Sequence, residues 1–482
     1  MSSAPYGVPV LTHDGYDYSH RGQSNTFLTR IPPSLRRWWL RQSTPSHTHP
    51  GANMRPRRLF KILKFAIPVT LLALWWVWHV FEPHLHVDLV FYDRNWIANE
   101  IHPITPLSGC FNQDRVSPLY NVTEELYGKK RFEVQAGVPM RVGMDCYAFA
   151  GTVVLPEHDT HQVAWIPAEN RNQYHTYWRT DLVPLGERQE LMLKSFFATQ
   201  NLPRSRLVLW SNDDLSKSPI VRKYLQRYPD SFSLGIADIP ALATGTAMQA
   251  SKLLQLNDKK AWVDGDLVRL LVIWHYGGMW IDMDMLVTRD LEPLVEHEFV
   301  TQWDCWGNVF PPTMARRLTS GYLPPLFRTG KPYQALNGAL MHFKRHSPYL
   351  CEAFHLMATS TPPRPSSTDW GAILYLRLWR RLLAESIPPF KILPFCFSDP
   401  LACRLDNSVP DPFKPDRADG QWADGYGLEE GGGLDIALQK IFAVHLHNRW
   451  DKPFPRGGWV ERLLLRRYDE ALVQEPPYEK AL

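Results

Sequence analysis

From about residue 160 onward, short apolar runs alternate with longer stretches in which apolar positions recur at helical spacing. Strand-like runs stand around "HTYW" (175–178), in "SRLVLWSND" (205–213) and in "FSLGIAD" (232–238). Between and after them, "ERQELMLKSFFATQ" (187–200), "SPIVRKYLQRY" (218–228) and "DLVRLLVIWHY" (266–276) keep the period of a helix. This alternation predicts an α/β domain whose mostly parallel sheet is covered by helices on both faces. The series closes on "GGMWIDMDMLV" (277–287), which reads as one continuous strand. Residues two apart in a strand share a face, so Met279, Ile281, Met283, Met285 and Val287 form an apolar side and Asp282 and Asp284 lie together on the other.

The rest of the chain lacks this rhythm. Residues 1–64 are basic and rich in Ser, Thr, Pro and His, which predicts a disordered tail. "FAIPVTLLALWWVWHVF" (65–81) contains no Asp, Glu, Lys or Arg and sits at the short end of the roughly 17–25 residues that span a bilayer. A short span suits the thinner membranes of the early secretory pathway. Arg55, Arg57, Arg58, Lys61 and Lys64 precede it, which predicts a cytosolic N-terminus and a single-pass type II topology; a buried core helix is the alternative. Residues 82–160 are mixed and Pro-interrupted and read as a lumenal stem, 161–465 as the main domain and 466–482 as a C-terminal tail. "TPPRPSSTDWG" (361–371) and the Gly/Asp/Pro-rich stretch 405–433 are loops by composition.

Composition changes this picture little. The chain has 482 residues, 44% hydrophobic and 21% charged, which is globular. A net charge of +4, skewed to the N-terminal segment, gives no basic surface for nucleic acid. All six cysteines, Cys110, Cys146, Cys305, Cys351, Cys396 and Cys403, follow the apolar run, as does the sequon Asn121-Val122-Thr123. Both observations agree with a lumenal domain in which disulfides form. No C-x-x-C pair suggests zinc, and six cysteines leave about fifteen connectivities.

Two buried carboxylates side by side repel each other, so one takes up a proton unless a cation sits between them. Divalent ions with oxygen ligands, Mn2+ first and Mg2+ second, suit the Asp282–Asp284 pair and keep positions open for substrate phosphates. Asp266 and Arg269, at i and i+3, share the face of the helix that leads into the glycines. The plainer duties of this pair are a first-turn aspartate favouring the helix dipole and a salt bridge between the two.

"DGDLVRLLVIWHYGGMWIDMDML" (264–286) resembles the D-x-x-R … G-G-x-[YW]-x-D-x-D block of glycosyltransferase family 32 and related DXD-containing sugar transferases. "NGALMHFKRHSPYL" (337–350) and "FAVHLHNRW" (442–450) are similar to the family's Asn-containing strand and its C-terminal A-V-H segment. The resemblance spans roughly 170–460 and implies a GT-A-like fold that transfers a hexose from a nucleotide-sugar donor to a glycan or glycolipid acceptor, with retention of configuration. It assigns the metal to Asp282 and Asp284 and the donor sugar to Asp266 and Arg269. It also makes His445 a further metal or phosphate ligand, or a residue behind the ligands. Asn337 either binds the donor sugar or forms a turn before Gly338, and Trp178 either stacks on the nucleotide base or fills the core. Asp369 either reaches the acceptor or holds its own loop. Location in a Golgi or ER membrane follows from the topology. The competing readings are a catalytically silent sugar- or calcium-binding membrane protein and a sugar-phosphate transferase.

Overall fold

The computed structural model describes residues 56–80, 104–137, 145–155, 166–255, 258–303, 336–401, 408–416, 422 and 427–474. The tail up to residue 55, Phe81, Cys305 and Cys403 lie outside the described residues. The chain divides into two units, Met1–Val87 and Asp88–Leu482.

In the first unit, helix α1 runs from Pro56 to Val80. Its window Leu63–Val80 has a mean hydropathy of 1.5, and none of it is buried inside the structure, so it is long and apolar enough to cross a membrane. The helix begins ahead of the apolar run, because residues 56–64, assigned above to the tail, continue its turns.

In the second unit a seven-stranded sheet has the order β3-β2-β1-β4-β7-β6-β8. Its strands are β1 (Asn172–Trp178), β2 (Ser205–Ser211), β3 (Phe232–Ile236), β4 (Gly278–Ile281), β6 (Phe299–Gln302), β7 (Leu336–Phe343) and β8 (Lys391–Leu393). Only β7 runs against the others. The mostly parallel α/β sheet is therefore as expected. Helices α2 (Glu187–Thr199) and α3 (Pro219–Arg227) cover one face through Phe196, Phe197 and Tyr224. Helices α4 (Val263–Tyr276), α5 (Pro348–Thr359) and α6 (Ala372–Ala384) cover the other through Leu270, Phe354 and Leu378. Along β4, Met279 and Ile281 enter the first core and Trp280 the second, the alternation a doubly covered strand requires.

The run 277–287 is not one strand. Its pairing in the large sheet ends at Ile281, Met285 N–H donates to Asp282 O at 3.1 Å, and the chain turns. It resumes as β5 (Met285–Val287), paired antiparallel with β9 (Ala443–His445) in a separate two-stranded sheet. Asp282-Met283-Asp284 is thus a turn at a sheet edge. Before β4, the helix-to-strand turn needs its glycines. Gly278 has φ +103, and a Cβ there would meet the Gln173 carbonyl oxygen at 2.3 Å.

The stretch read as a stem contributes to this unit. Ser108 and Cys110 N–H groups donate to Glu352 at 2.7 Å, and Tyr120 Oη donates to Glu298 at 2.5 Å. Cys110–Cys351 and Cys146–Cys396 are disulfides, so the described parts of 104–155 are tied to helix α5 and to the segment after β8. The first nine residues of the predicted C-terminal tail also dock, as helix Arg466–Gln474, because Tyr468 and Leu472 share one face and Tyr468 Oη donates to Val287 O.

Removing Cys110–Cys351 by paired substitution to Ala is expected to lower stability by roughly 2–5 kcal/mol, since the bridge closes a very long loop; denaturant titration of oxidised and substituted protein measures it. Burial pushes the Glu298 carboxyl from 4.5 up to about 7. A raised carboxyl pKa means that the fold prefers the proton, so this contribution is complete below pH 4.5 and is lost as pH rises through about 7. Melting curves across that range are expected to flatten in Glu298→Gln, and an unchanged pH profile would remove Glu298 as the source.

Candidate active site

The C-terminal ends of β1, β4 and β6 and the N-terminal start of antiparallel β7 lie on one edge of the sheet. In open α/β sheets this is the edge where ligands bind. Trp178 ends β1, the turn Asp282–Asp284 follows β4, and Asn337 opens β7. Beside them the small β5–β9 sheet places His445 opposite Met285.

Asp282, Asp284 and His445 bring one possible ligand atom each to within 4.8 Å of one another. Asp282 accepts through Oδ1 from Arg269 Nη2 at 2.8 Å and from Trp280 Nε1 at 2.6 Å. Asp284 accepts through Oδ2 from Asn448 N–H at 2.5 Å, and His445 Nε2 lies 3.3 Å from the same oxygen. These contacts fall on one oxygen of each carboxylate and leave Oδ2 of Asp282 and Oδ1 of Asp284 for an ion. An Asp/Asp/His donor set with one oxygen left on each carboxylate fits a hard or borderline divalent cation. The Asp282 side chain keeps 24% of its exposure and that of Asp284 only 4%, so the pair opens on the Asp282 side.

The two carboxylates are shifted in opposite directions. Burial raises the Asp282 pKa, Arg269 opposes the rise and Asp284 adds to it. Burial acts on Asp284 in the same direction, but His445 and the Asn448 N–H overcome it and pull the pKa down to about 2.

Arg269 is the pivot of the other half. Its Nη1 donates to Asp266 Oδ1 and its Nη2 to Asp282 Oδ1, both at 2.8 Å, with the guanidinium 5.4 Å from the centre of the Trp280 ring. Burial works against its charge, yet Asp282 and Asp266 hold it ionised with a raised pKa. Asp266 is itself pushed up to about 7 by burial, which Arg269 only partly offsets. The salt bridge considered from the sequence is present, and it extends to the D-x-D. Space for it depends on Gly338, where a Cβ would stand 2.6 Å from both Arg269 Nη1 and Tyr375 Oη.

The remaining candidates divide. Asn337 is brought in: its Nδ2 is 3.4 Å from His445 Nδ1, while its Oδ1 accepts from Ala339 N–H at 2.9 Å. Trp178 packs edge-on to Trp450 at 5.1 Å and donates from Nε1 to Val183 O, and Trp450 in turn donates to Asn448 Oδ1. Asp369 is occupied by its own loop, accepting from the Arg364 backbone N–H, Nε and Nη2 at 2.8–3.1 Å. That loop nevertheless touches the site at its end, because a Cβ on Gly371 would lie 2.7 Å from Asp266 Oδ2.

Three residues, Asp399, Asn448 and Arg188, had no signal in the sequence. Asp399, 1% exposed, stands behind His445 with Oδ2 at 3.4 Å from Nδ1 and binds His447 Nε2 through Oδ1 at 2.8 Å. His447 stacks on His445 at 4.3 Å although β9 has ended, where His447 has φ +55. Asn448 caps Asp284 through its backbone, which no side-chain pattern reveals. Arg188, from the first turn of α2, lies over the Phe454 ring at 3.7 Å, and burial lowers its pKa to about 10 against the pull of Asp284. Cys110, Cys351 and His355 also cluster, but both sulfurs are in the disulfide.

No curated protein sequence matches the chain. Among solved structures, PaToxG glycosyltransferase is similar over 45% of this chain and 69% of that one, at 13% identity and a TM-score of 0.29. The bifunctional glycosyltransferase WbbM is similar over 64% and 50%, at 11% identity and 0.36. The glycosyltransferase GlyE of Streptococcus pneumoniae TIGR4 is similar over 64% and 66%, at 12% and 0.32. At these scores no residue role passes from them to this chain. Residues 186–301 match the family model described as a glycosyltransferase sugar-binding region containing a DXD motif. That span runs from the start of α2 to the end of β6, includes Asp266, Arg269, Asp282 and Asp284, and stops short of Asn337 and His445. Residues 186–301 thus carry a DXD-containing glycosyltransferase sugar-binding region, with its motif at the ligand-binding edge of a mostly parallel sheet.

Proposed function

We propose that this chain is a divalent-metal-dependent hexosyltransferase, anchored by α1 as a single-pass type II protein of a Golgi or ER membrane. It would transfer a sugar from a nucleotide donor to a glycan or glycolipid with retention of configuration. The observation that carries the reading is the convergence of Asp282, Asp284 and His445 within 4.8 Å at the edge where β1 and β4 end.

In this reading Asp282, Asp284 and His445 would hold Mn2+, with Mg2+ as the alternative. When bound, the ion supplies Lewis-acid stabilisation of the charge that develops on the leaving diphosphate. Trp178 offers a flat apolar ring at the end of β1 for the nucleotide base. Asp266 and Asn337 line the donor-sugar side, where a carboxyl and an amide match hydroxyl groups. Arg269 keeps positive charge beside the reacting sugar while fixing the Asp282 carboxylate that faces the ion. Asp369, held by Arg364, keeps the loop before α6 in shape and leaves the acceptor to other groups.

Because one guanidinium serves both carboxylates, the donor-sugar and metal sites are coupled in this reading. Calorimetric titration of the full-length chain in detergent with Mn2+ and a nucleoside diphosphate tests the assignment. Asp282→Asn is expected to weaken binding by more than the roughly 10–100-fold that loss of an outer contact costs. Arg269→Ala should weaken it too and cost about 3–5 kcal/mol of stability, since it strands two buried carboxylates. Asp266→Asn should keep diphosphate affinity near wild type while donor turnover falls. Equal affinity losses in Asp266→Asn and Asp282→Asn would move Asp266 from the sugar to the metal.

Topology has its own test. Asn121 is exposed and caps a short helix, so lumenal exposure of the domain should bring glycan addition there that Asn121→Gln abolishes. A chain made with microsomes that stays unglycosylated at Asn121, with its N-terminal tail protected from added protease, would reverse the orientation.

A further inference from the structure

Asp399 belongs to none of the motifs that identify the enzyme, and it lies outside residues 186–301. It comes from the short segment after β8, where its N–H donates to Phe395 O at 2.7 Å, so its backbone is fixed by a turn. Its side chain is 1% exposed and has two neighbours, the imidazoles of His445 and His447, one at each carboxylate oxygen. A buried carboxylate costs several kcal/mol unless partnered, so this placement needs a reason. No cation of the Arg or Lys type faces it among the described contacts; the two stacked rings are its only described side-chain partners.

The geometry around His445 supplies the reason. One ring nitrogen, Nδ1, stands 3.4 Å from both Asp399 Oδ2 and Asn337 Nδ2; the other, Nε2, stands 3.3 Å from Asp284 Oδ2, and Nε2 and Asp399 Oδ2 are both buried without a hydrogen-bond partner. We propose that Asp399 is a positioning residue: it holds the His445 ring through Nδ1, so that Nε2 is the nitrogen presented to the ion shared with Asp282 and Asp284. His447, bonded to the other oxygen of Asp399 at 2.8 Å and stacked on His445 at 4.3 Å, keeps the carboxylate from rotating away. A carboxylate behind a ligating histidine fixes both the ring and the tautomer, and its loss typically costs 10–100-fold in metal affinity. The proposal rests on the metal reading given above and adds a residue that this reading does not need.

The test uses the full-length chain in detergent and Mn2+ alone, with binding read by titration and the ligand nitrogen read by spin-echo modulation of the bound Mn2+. Wild type should bind the ion and show 14N modulation from a coordinated imidazole, and His445→Gln should lose the modulation. Asp399→Asn should bind about 10–100-fold more weakly, with weakened or absent 14N modulation. Asp399→Asn should add nothing further in the His445→Gln background, whereas a purely structural residue would add its full cost there. Asp399→Ser, which leaves room for a water, serves if Asp399→Asn does not fold, and the same outcomes are expected. Wild-type affinity and modulation in a folded Asp399 variant overturn the proposal, as does full additivity with His445→Gln. Failure of wild type itself to bind Mn2+ overturns the metal reading and this proposal with it.

Discussion

The site turns on one guanidinium shared by two carboxylates. Asp266 leaves helix α4 and Asp282 leaves the end of β4, and both would be costly where they stand without Arg269 between them. The pairing does more than neutralise charge. It fixes the rotation of α4 against the sheet, since both bonds are 2.8 Å long and come from the planar fork of one side chain. Gly338 on the neighbouring strand is part of the same constraint, because any side chain there would take the space that Arg269 and Tyr375 fill.

Extended outward, the arrangement alternates acid and base. Asp266, Arg269 and Asp282 form one run; Asp284, His445, Asp399 and His447 form another, and the two meet at the D-x-D. Four carboxylates face the Arg269 guanidinium and two imidazoles, with Arg188 a further cation that feels Asp284. Such a site is short of positive charge, and a divalent cation would supply it at the place where the two runs meet.

Much of this was legible in the chain. The strands and helices from 172 to 287 fall within a few residues of their predicted places because each carries its own period. Asp282, Asp284, Asp266 and Arg269 were readable because their spacing is local. The turn at 282–284 was not, since Met283 is apolar and buried like a strand residue, and the pairing of β5 with β9 joins segments far apart in sequence. Asp399 had no signal either: a lone aspartate before a proline reads as a turn, and its meaning comes only from the histidines that folding brings to it. The contacts that tie the stretch read as a stem to this unit have no sequence signal for the same reason. Its attachments include paired N–H contacts to Glu352 and to Glu296, the Tyr120 contact to Glu298 and two disulfides, each to a remote segment, and they leave no periodic trace.

Those attachments bear on how the protein is made. Cys110 and Cys351 are 241 residues apart, and Cys146 and Cys396 are 250 apart. Each early cysteine precedes the sheet, and each partner follows most of it. The first bond cannot close until Cys351 has left the ribosome nor the second until Cys396 has, so two thiols near the start of the domain wait for partners made 241 and 250 residues later. A chain interrupted before residue 351 has neither bridge available to it. Oxidation of these four cysteines therefore reports that the chain through β8 has been made and brought together.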